Sequence, residues 1–236
     1  MTAATDKGIT EDLAADLACA SFALARKFSA GATMWTLAPG WAPHGQHIAV
    51  EFVHPVIVGK RALPAVALSG PDSVDMTRVS VRPGDIVIAV ADADDPQVVS
   101  VMRRAPAWGA TTIWIGNGHR PPVGGADHVL WLDDPDPRTP ATGGFVLLYH
   151  LLWELTHVCF EHSGLLTTED CTDDVCVTCS DEGRLGEVIS ASADQSALVR
   201  TGQGAETVST DLVEPVAAGD LVLVHAGMAI SRLDAS

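Results

Sequence analysis

One histidine and three cysteines near the end of the chain have the types and spacing of metal ligands. His225 lies in the apolar stretch 219–230, directly before a small-residue turn, so a strand is expected to deliver its imidazole to that turn. Cys171, Cys176 and Cys179 precede it in a polar segment, the last two at the C-x2-C spacing with which two thiolates share one soft metal ion. Either Cys171 or His225 could supply a third ligand. The alternative is a structural zinc or an oxidised pair of cysteines.

A second set of possible ligands falls on one predicted helix. His44, His47, Glu51 and His54 are three or four residues apart, which places all four within roughly 80° of one another around a helix. His150, on the last predicted helix of the same region, could approach them. Imidazole nitrogens and a carboxylate suit zinc, iron or nickel. The alternative is that these residues are polar groups at a helix surface or a dimer interface.

Size and charge restrict the classes of function. The chain has 236 residues and a formal net charge of −16, which predicts two modest domains, 1–165 and 166–236, separated by an acidic, threonine-rich linker. Nucleic acids and anionic membranes attract clustered Lys and Arg, which are scarce here, so neither is an expected partner. Neither a membrane span nor a signal peptide is indicated, and we expect a cytoplasmic protein.

Helix and strand patterns alternate in the first domain. A helix is predicted behind a Thr10 cap, another begins at Pro96, and a long apolar helix spans 144–160. Short apolar runs lie between the helices at 32–37, 63–68, 86–91, 111–115 and 129–132. This alternation predicts an α/β fold, in which a parallel sheet is sandwiched by helices.

The pattern changes after residue 183, where no helix signal remains. Alternating segments separated by Gly and Asp turns lie at 185–189, 197–201, 207–213 and 221–225. About five short strands of this kind are expected to close into a small OB-like β barrel.

The block G-D-L-V-L-V-H-A-G-M-A-I at 219–230 resembles the HupF/HypC family of hydrogenase maturation chaperones. That resemblance implies a protein that is not an enzyme and that binds iron, through a cysteine here matched best by Cys176 and through His225. Cys179 is a possible support or substitute, and Cys171 is a weaker match to the cysteine. It also implies two partners, the hydrogenase large-subunit precursor and an iron-sulfur maturation protein.

Residues 45–52 and 61–68 resemble the sugar isomerase (SIS) fold, and in particular sedoheptulose 7-phosphate isomerases. The resemblance implies that His47, Glu51 and His150 bind zinc or another divalent metal, and that the domain forms a homo-oligomer. In an isomerase, Glu51 and His150 would be catalytic, with Glu51 moving a proton between adjacent carbons and His150 assisting.

The phosphate-binding turn of that fold is altered in this chain. Where the family has serines after the strand that begins Gly-Asp, this chain has Asp92, Asp94 and Asp95. Carboxylates repel a phosphate dianion, so the sequence predicts that sugar-phosphate binding is lost. Two hypotheses follow: a maturation chaperone whose first domain is a dimer scaffold or a second metal or ligand site, and a metal-dependent sugar-phosphate isomerase with an accessory barrel.

Overall fold

The computed structural model describes residues 9–70, 72–132, 143–162, 164, 166 and 183–233. Strands and helices alternate in its first part. The strands are β1 (Met34–Leu37), β2 (Ala65–Leu68), β3 (Ile86–Val90), β4 (Thr111–Asn117) and β5 (His128–Leu132). The helices are α1 (Glu11–Ser29), α2 (Ala42–Val53), α3 (Ser73–Ser80), α4 (Pro96–Arg104), followed by a 3-10 turn (Ala105–Trp108), and α5 (Gly144–Glu161).

The five strands form one parallel sheet in the order β2-β1-β3-β4-β5. The chain moves outward from β1 to β2 and then returns to the other side of β1 with β3. The order therefore reverses between β1 and β3, and ligands of open α/β sheets bind in the crevice at such a point, beyond the carboxyl ends of the strands.

Helices cover both faces of the sheet, as β3 shows most clearly. Ile86, Ile88 and Val90 join a core with α1, α2 and α5, whereas Val87 and Ala89 join a second core with α4 and the 3-10 turn. All five β3 residues are buried because successive side chains point to opposite faces. The predicted parallel sheet sandwiched by helices is confirmed.

The predicted helix starts are also present. Thr10 is the N-cap of α1, and its hydroxyl accepts a hydrogen bond from Leu13 N at 3.2 Å. Helix α4 begins at Pro96 with Asp95 as its N-cap. A side-chain oxygen before the first turn satisfies amides that have no partner inside the helix, and proline suits the first helical position.

The second part is a closed five-stranded barrel, so the predicted small barrel is confirmed. Its strands are β6 (Arg184–Ala191), β7 (Ser196–Thr201), β8 (Gly204–Ser209), β9 (Leu221–His225) and β10 (Met228–Leu233). They pair in the order β10-β8-β7-β6-β9, and β10 closes the barrel against β9. Within the described residues 183–233 there is no helix.

Two barrel strands differ from the expectation. The strand expected at 207–213 ends at Ser209, because a turn closed by a bond from Val213 N to Thr210 O follows it. The last strand, β10, was not expected as a separate strand. The expected boundary between 165 and 166 falls beside residues outside those that the structure describes.

A buried carboxylate joins the barrel to the α/β part. Glu187 of β6 is 3% exposed, and its Oε2 accepts a 2.7 Å hydrogen bond from Trp108 Nε1. Its Oε1 accepts a bond from Arg78 Nε at 3.1 Å and lies 3.4 Å from Arg104 Nε. The barrel also donates hydrogen bonds to the α/β part, because the guanidinium of Arg200 in β7 donates to the carbonyls of Arg78 and Val81 near the end of α3.

The two parts also approach each other backbone to backbone. Gly109, which follows the 3-10 turn, has a φ of +79°, and a Cβ built there would lie 2.9 Å from Pro83 Cα and 3.0 Å from Gly202 Cα. Gly202 is in the turn between β7 and β8. Glycine is required at this contact both for its positive φ and for the space that a side chain would occupy.

We predict that Glu187→Ala lowers the free energy of unfolding by about 3 kcal/mol. In the seam, the contact between the barrel and the α/β part, it leaves the Trp108 indole N–H without its acceptor and removes the buried counter-charge of Arg78 and Arg104. Asp75→Asn is the matched control, since Asp75 pairs with the same Arg78 but its side chain is 72% exposed, and its loss should be below about 1 kcal/mol. Urea unfolding followed by tryptophan fluorescence measures both. Equal losses in the two variants would show that the buried carboxylate does not stabilise the seam.

Candidate metal centre

His225 is the one expected iron ligand that falls within the described residues. It ends β9, and Ala226 (φ +49°) and Gly227 (φ +79°) form the turn to β10. Positive φ at both central residues is typical of a tight two-residue hairpin. Gly227 O also accepts a bond from Ser209 N at 2.9 Å, so the turn is tied to a third strand and the half-buried imidazole has a fixed backbone.

The three cysteines expected near His225 lie outside the described residues, so the structure gives no distance from them to the imidazole. These are Cys171, Cys176 and Cys179. Iron binding by this set therefore stays a prediction.

The structure brings His47, Glu51 and His150 together in the α/β part. His47 and Glu51 are one turn apart on α2, and His150 comes from α5. His47 Nε2 lies 3.2 Å from Glu51 Oε1 and 3.3 Å from His150 Nε2. The third distance, from His150 Nε2 to Glu51 Oε1, is 3.5 Å. All three side chains are partly open to solvent.

These distances fit one small metal ion. Ligand atoms bound at 2.0–2.2 Å at the corners of a tetrahedron lie about 3.3 to 3.6 Å apart, close to the 3.2 to 3.5 Å observed here. Two imidazoles and one carboxylate are also a common ligand set for zinc, with a fourth position left for water or substrate. The donor set of this group therefore suits zinc or a similar divalent ion.

His44 and His54 do not join this group. The ligand atoms that converge are those of His47, Glu51 and His150. His44 Nδ1 instead lies 3.5 Å from the hydroxyl of Tyr149. Helix α2 ends at Val53, and His54 is its exposed C-cap, with φ −123° and ψ 68°. Because the helix does not continue through His54, the helical-face geometry that the spacing predicted does not extend to it. Pro55 follows it, and the residue before proline is disfavoured in a helix.

Tyr149 is the site residue that the sequence did not single out. Its hydroxyl lies 2.8 Å from His47 Nδ1, and the residue is 1% exposed. Burial, with a smaller contribution from the Glu51 carboxylate, raises the pKa of Tyr149 to about 12, so the phenol stays protonated at neutral pH. The available signals were its place directly before His150 and its being the single tyrosine of the chain.

A cavity of about 270 Å³ lies at the carboxyl ends of β1 and β2 and reaches Gln97 of α4, beside the point between β1 and β3 where the strand order reverses. Its polar lining includes Ser69, Ser73 and Gln97, and the hydroxyl of Ser73 donates to the side chain of Gln97. In the parallel α/β folds that bind phosphate, the amides at a helix N-terminus beside such a cavity hold the anion.

The helix beside this cavity is α4, and the amides at its N-terminus already have an anionic partner in this chain. Asp95 Oδ1 accepts bonds from the backbone N of Gln97 and of Val98, each at 3.0 Å. Burial raises the pKa of the nearby Asp92, and the charges of Asp94 and Asp95 raise it further. The N-terminus of α4 is therefore occupied by a carboxylate of the protein itself.

Comparison with known proteins divides the chain as the fold does. Residues 183–236 match the model of the HupF/HypC family, which confirms the resemblance of the C-terminal part. The match includes His225 and the whole barrel. It does not extend to Cys171, Cys176 or Cys179.

The first part is similar to phosphoheptose isomerases, which confirms the second resemblance. A phosphoheptose isomerase of Nitratidesulfovibrio vulgaris is 29% identical over 142 residues, covering 52% of this chain and 67% of that protein. The structure of a phosphoheptose isomerase from Francisella tularensis has a TM-score of 0.53 at 15% identity, over 64% of this chain and 88% of the other. One from Neisseria gonorrhoeae has a TM-score of 0.52 at 16% identity, over 61% and 86%. These two structures show the fold.

No helix in the described part of the chain is long and apolar enough to cross a bilayer.

Proposed function

We propose that this protein is a hydrogenase maturation chaperone of the cytoplasm. In this proposal its barrel binds iron and carries it to the large-subunit precursor of a hydrogenase, together with an iron-sulfur maturation partner. The observation that supports it best is the match of 183–236 to the HupF/HypC family, over a stretch that folds as a complete barrel.

Cys176 and His225 are the proposed iron ligands. A thiolate is a soft donor and an imidazole an intermediate one, and two protein ligands leave most positions of the metal open for small strong-field ligands and for a thiol of the receiving protein. Cys179 or Cys171 could support or replace Cys176. The rigid turn after His225 supports this role, because a fixed backbone presents the imidazole without an ordering penalty.

The α/β part supplies the second metal site and a dimer scaffold in this proposal. His47, Glu51 and His150 would hold zinc or another divalent ion, which would act there as a Lewis acid or a structural centre. Val50 on α2 is 54% exposed and Leu147 on α5 is 57% exposed. Apolar side chains on the two helices that carry the site support a contact between copies of the chain.

We predict that Cys176→Ala and His225→Ala each abolish iron retention and hydrogenase maturation without unfolding the protein. Metal analysis of purified protein and a complementation assay are the measurements. Cys19→Ala and His119→Ala are matched controls, because Cys19 is exposed on α1 and His119 is remote in sequence from the barrel. Full iron content and full complementation in both ligand variants would exclude these residues as the carriers.

A second function, that of a metal-dependent sugar-phosphate isomerase, is favoured by one observation, the convergence of His47, Glu51 and His150. Glu51 would take a proton from one carbon and return it to the next, and His150 would donate to the substrate oxygen. The position of Asp95 counts against it, since the amides that would hold the substrate phosphate are already bonded to a carboxylate.

We predict that the wild-type protein gives no calorimetric binding signal with sedoheptulose 7-phosphate at millimolar concentration and no isomerase activity. Asp95→Gly removes the charge and frees the amides of Gln97 and Val98, so weak binding of the same compound should appear in this variant. Micromolar binding or turnover by the wild type would favour the isomerase over the chaperone.

A further inference from the structure

The ring of Tyr149 lies in an apolar core, and its hydroxyl reaches the polar group around His47. Its ring packs with Phe145, Leu148 and Leu152 in the core between the sheet and helices α1, α2 and α5. Phenylalanine would fill this space equally well, and a buried hydroxyl needs a hydrogen-bond partner. That partner is His47 Nδ1, at 2.8 Å, and the two rings meet edge to face with centroids 5.1 Å apart.

The two nitrogens of His47 face different surroundings. Nε2 points to Glu51 Oε1 and His150 Nε2, at 3.2 and 3.3 Å, whereas Nδ1 points to the phenol. A neutral imidazole carries its proton on one nitrogen only, and the other nitrogen has the lone pair that binds a metal. When the lone pair of Nε2 binds a metal, the proton is on Nδ1 and needs an acceptor, and the phenol oxygen can be that acceptor.

We propose that Tyr149 is a positioning residue of the metal centre. Its hydroxyl oxygen accepts the proton of His47 Nδ1, which leaves the lone pair of Nε2 directed at the space shared with Glu51 and His150. The same bond fixes the rotation of the imidazole about its side chain. The inference rests on the proposed metal site of the α/β part.

Histidines that bind metals commonly donate their second N–H to a carboxylate or a carbonyl, and the loss of such a partner weakens metal binding about 10- to 100-fold. Here a phenol takes that place. Tyr149 is adjacent to His150 on α5, so one short segment of that helix supplies a ligand of the metal and the group that orients another ligand.

Zinc affinity of the full-length protein, measured by competition with a chromophoric chelator, tests the proposal. We expect Tyr149→Phe to raise the zinc dissociation constant about 10- to 100-fold, while metal-free unfolding changes little. Thr156→Val is the matched control: Thr156 is a fully buried hydroxyl on the same helix, bonded to Leu152 O, and its loss should leave the zinc dissociation constant unchanged.

A second readout separates positioning from packing. In the zinc-loaded wild type, the ring ¹⁵N shifts of His47 should be those of an imidazole protonated at Nδ1, and Tyr149→Phe should change the Nδ1 shift. Equal zinc affinity of wild type and Tyr149→Phe would overturn the positioning role and leave the metal site standing. No zinc binding by the wild type would overturn both.

Discussion

The buried carboxylate of Glu187 is the interaction on which the arrangement of the whole molecule depends. A charge that is 3% exposed is tolerated only when donors surround it, because removing it from water is otherwise strongly unfavourable. Two arginines and an indole N–H meet it, and all three come from the α/β part. The barrel therefore has one orientation that satisfies its own buried charge.

That orientation places the seam and the group of His47, Glu51 and His150 on opposite faces of the sheet. The seam involves Trp108 and the core on one face of the sheet. His47, Glu51 and His150 lie on α2 and α5, which pack on the opposite face. Within one chain the sheet therefore lies between the seam and the three-ligand group.

Much of the fold could be predicted because local patterns determine it. A strand buried on both faces, such as β3, is a continuous apolar run, and the Thr10 cap and Pro96 mark helix starts directly in the sequence. Strand ends were less predictable. The small residues Ala226 and Gly227 predict the turn after His225, but the separate strand β10 that follows the turn is not predicted.

The site was predictable only in part, for a related reason. The spacing of His47 and Glu51 is local, but the contact of Tyr149 with His47 spans 102 positions, and that of Arg78 with Glu187 spans 109. No periodicity links such residues. His54 is a local case instead: the spacing predicted one helical face, but the helix ends at Val53 and Pro55 follows His54.

X-ray absorption at the zinc and iron edges, on full-length protein purified without exposure to air, tests most directly whether each part holds its own metal ion. We expect a zinc shell of nitrogen and oxygen at about 2.0–2.1 Å with no sulfur, and an iron shell that contains sulfur. A sulfur shell near 2.3 Å at the zinc edge, or iron with only nitrogen and oxygen neighbours, would contradict the assignment of His47, Glu51 and His150 to one ion and of Cys176 and His225 to the other.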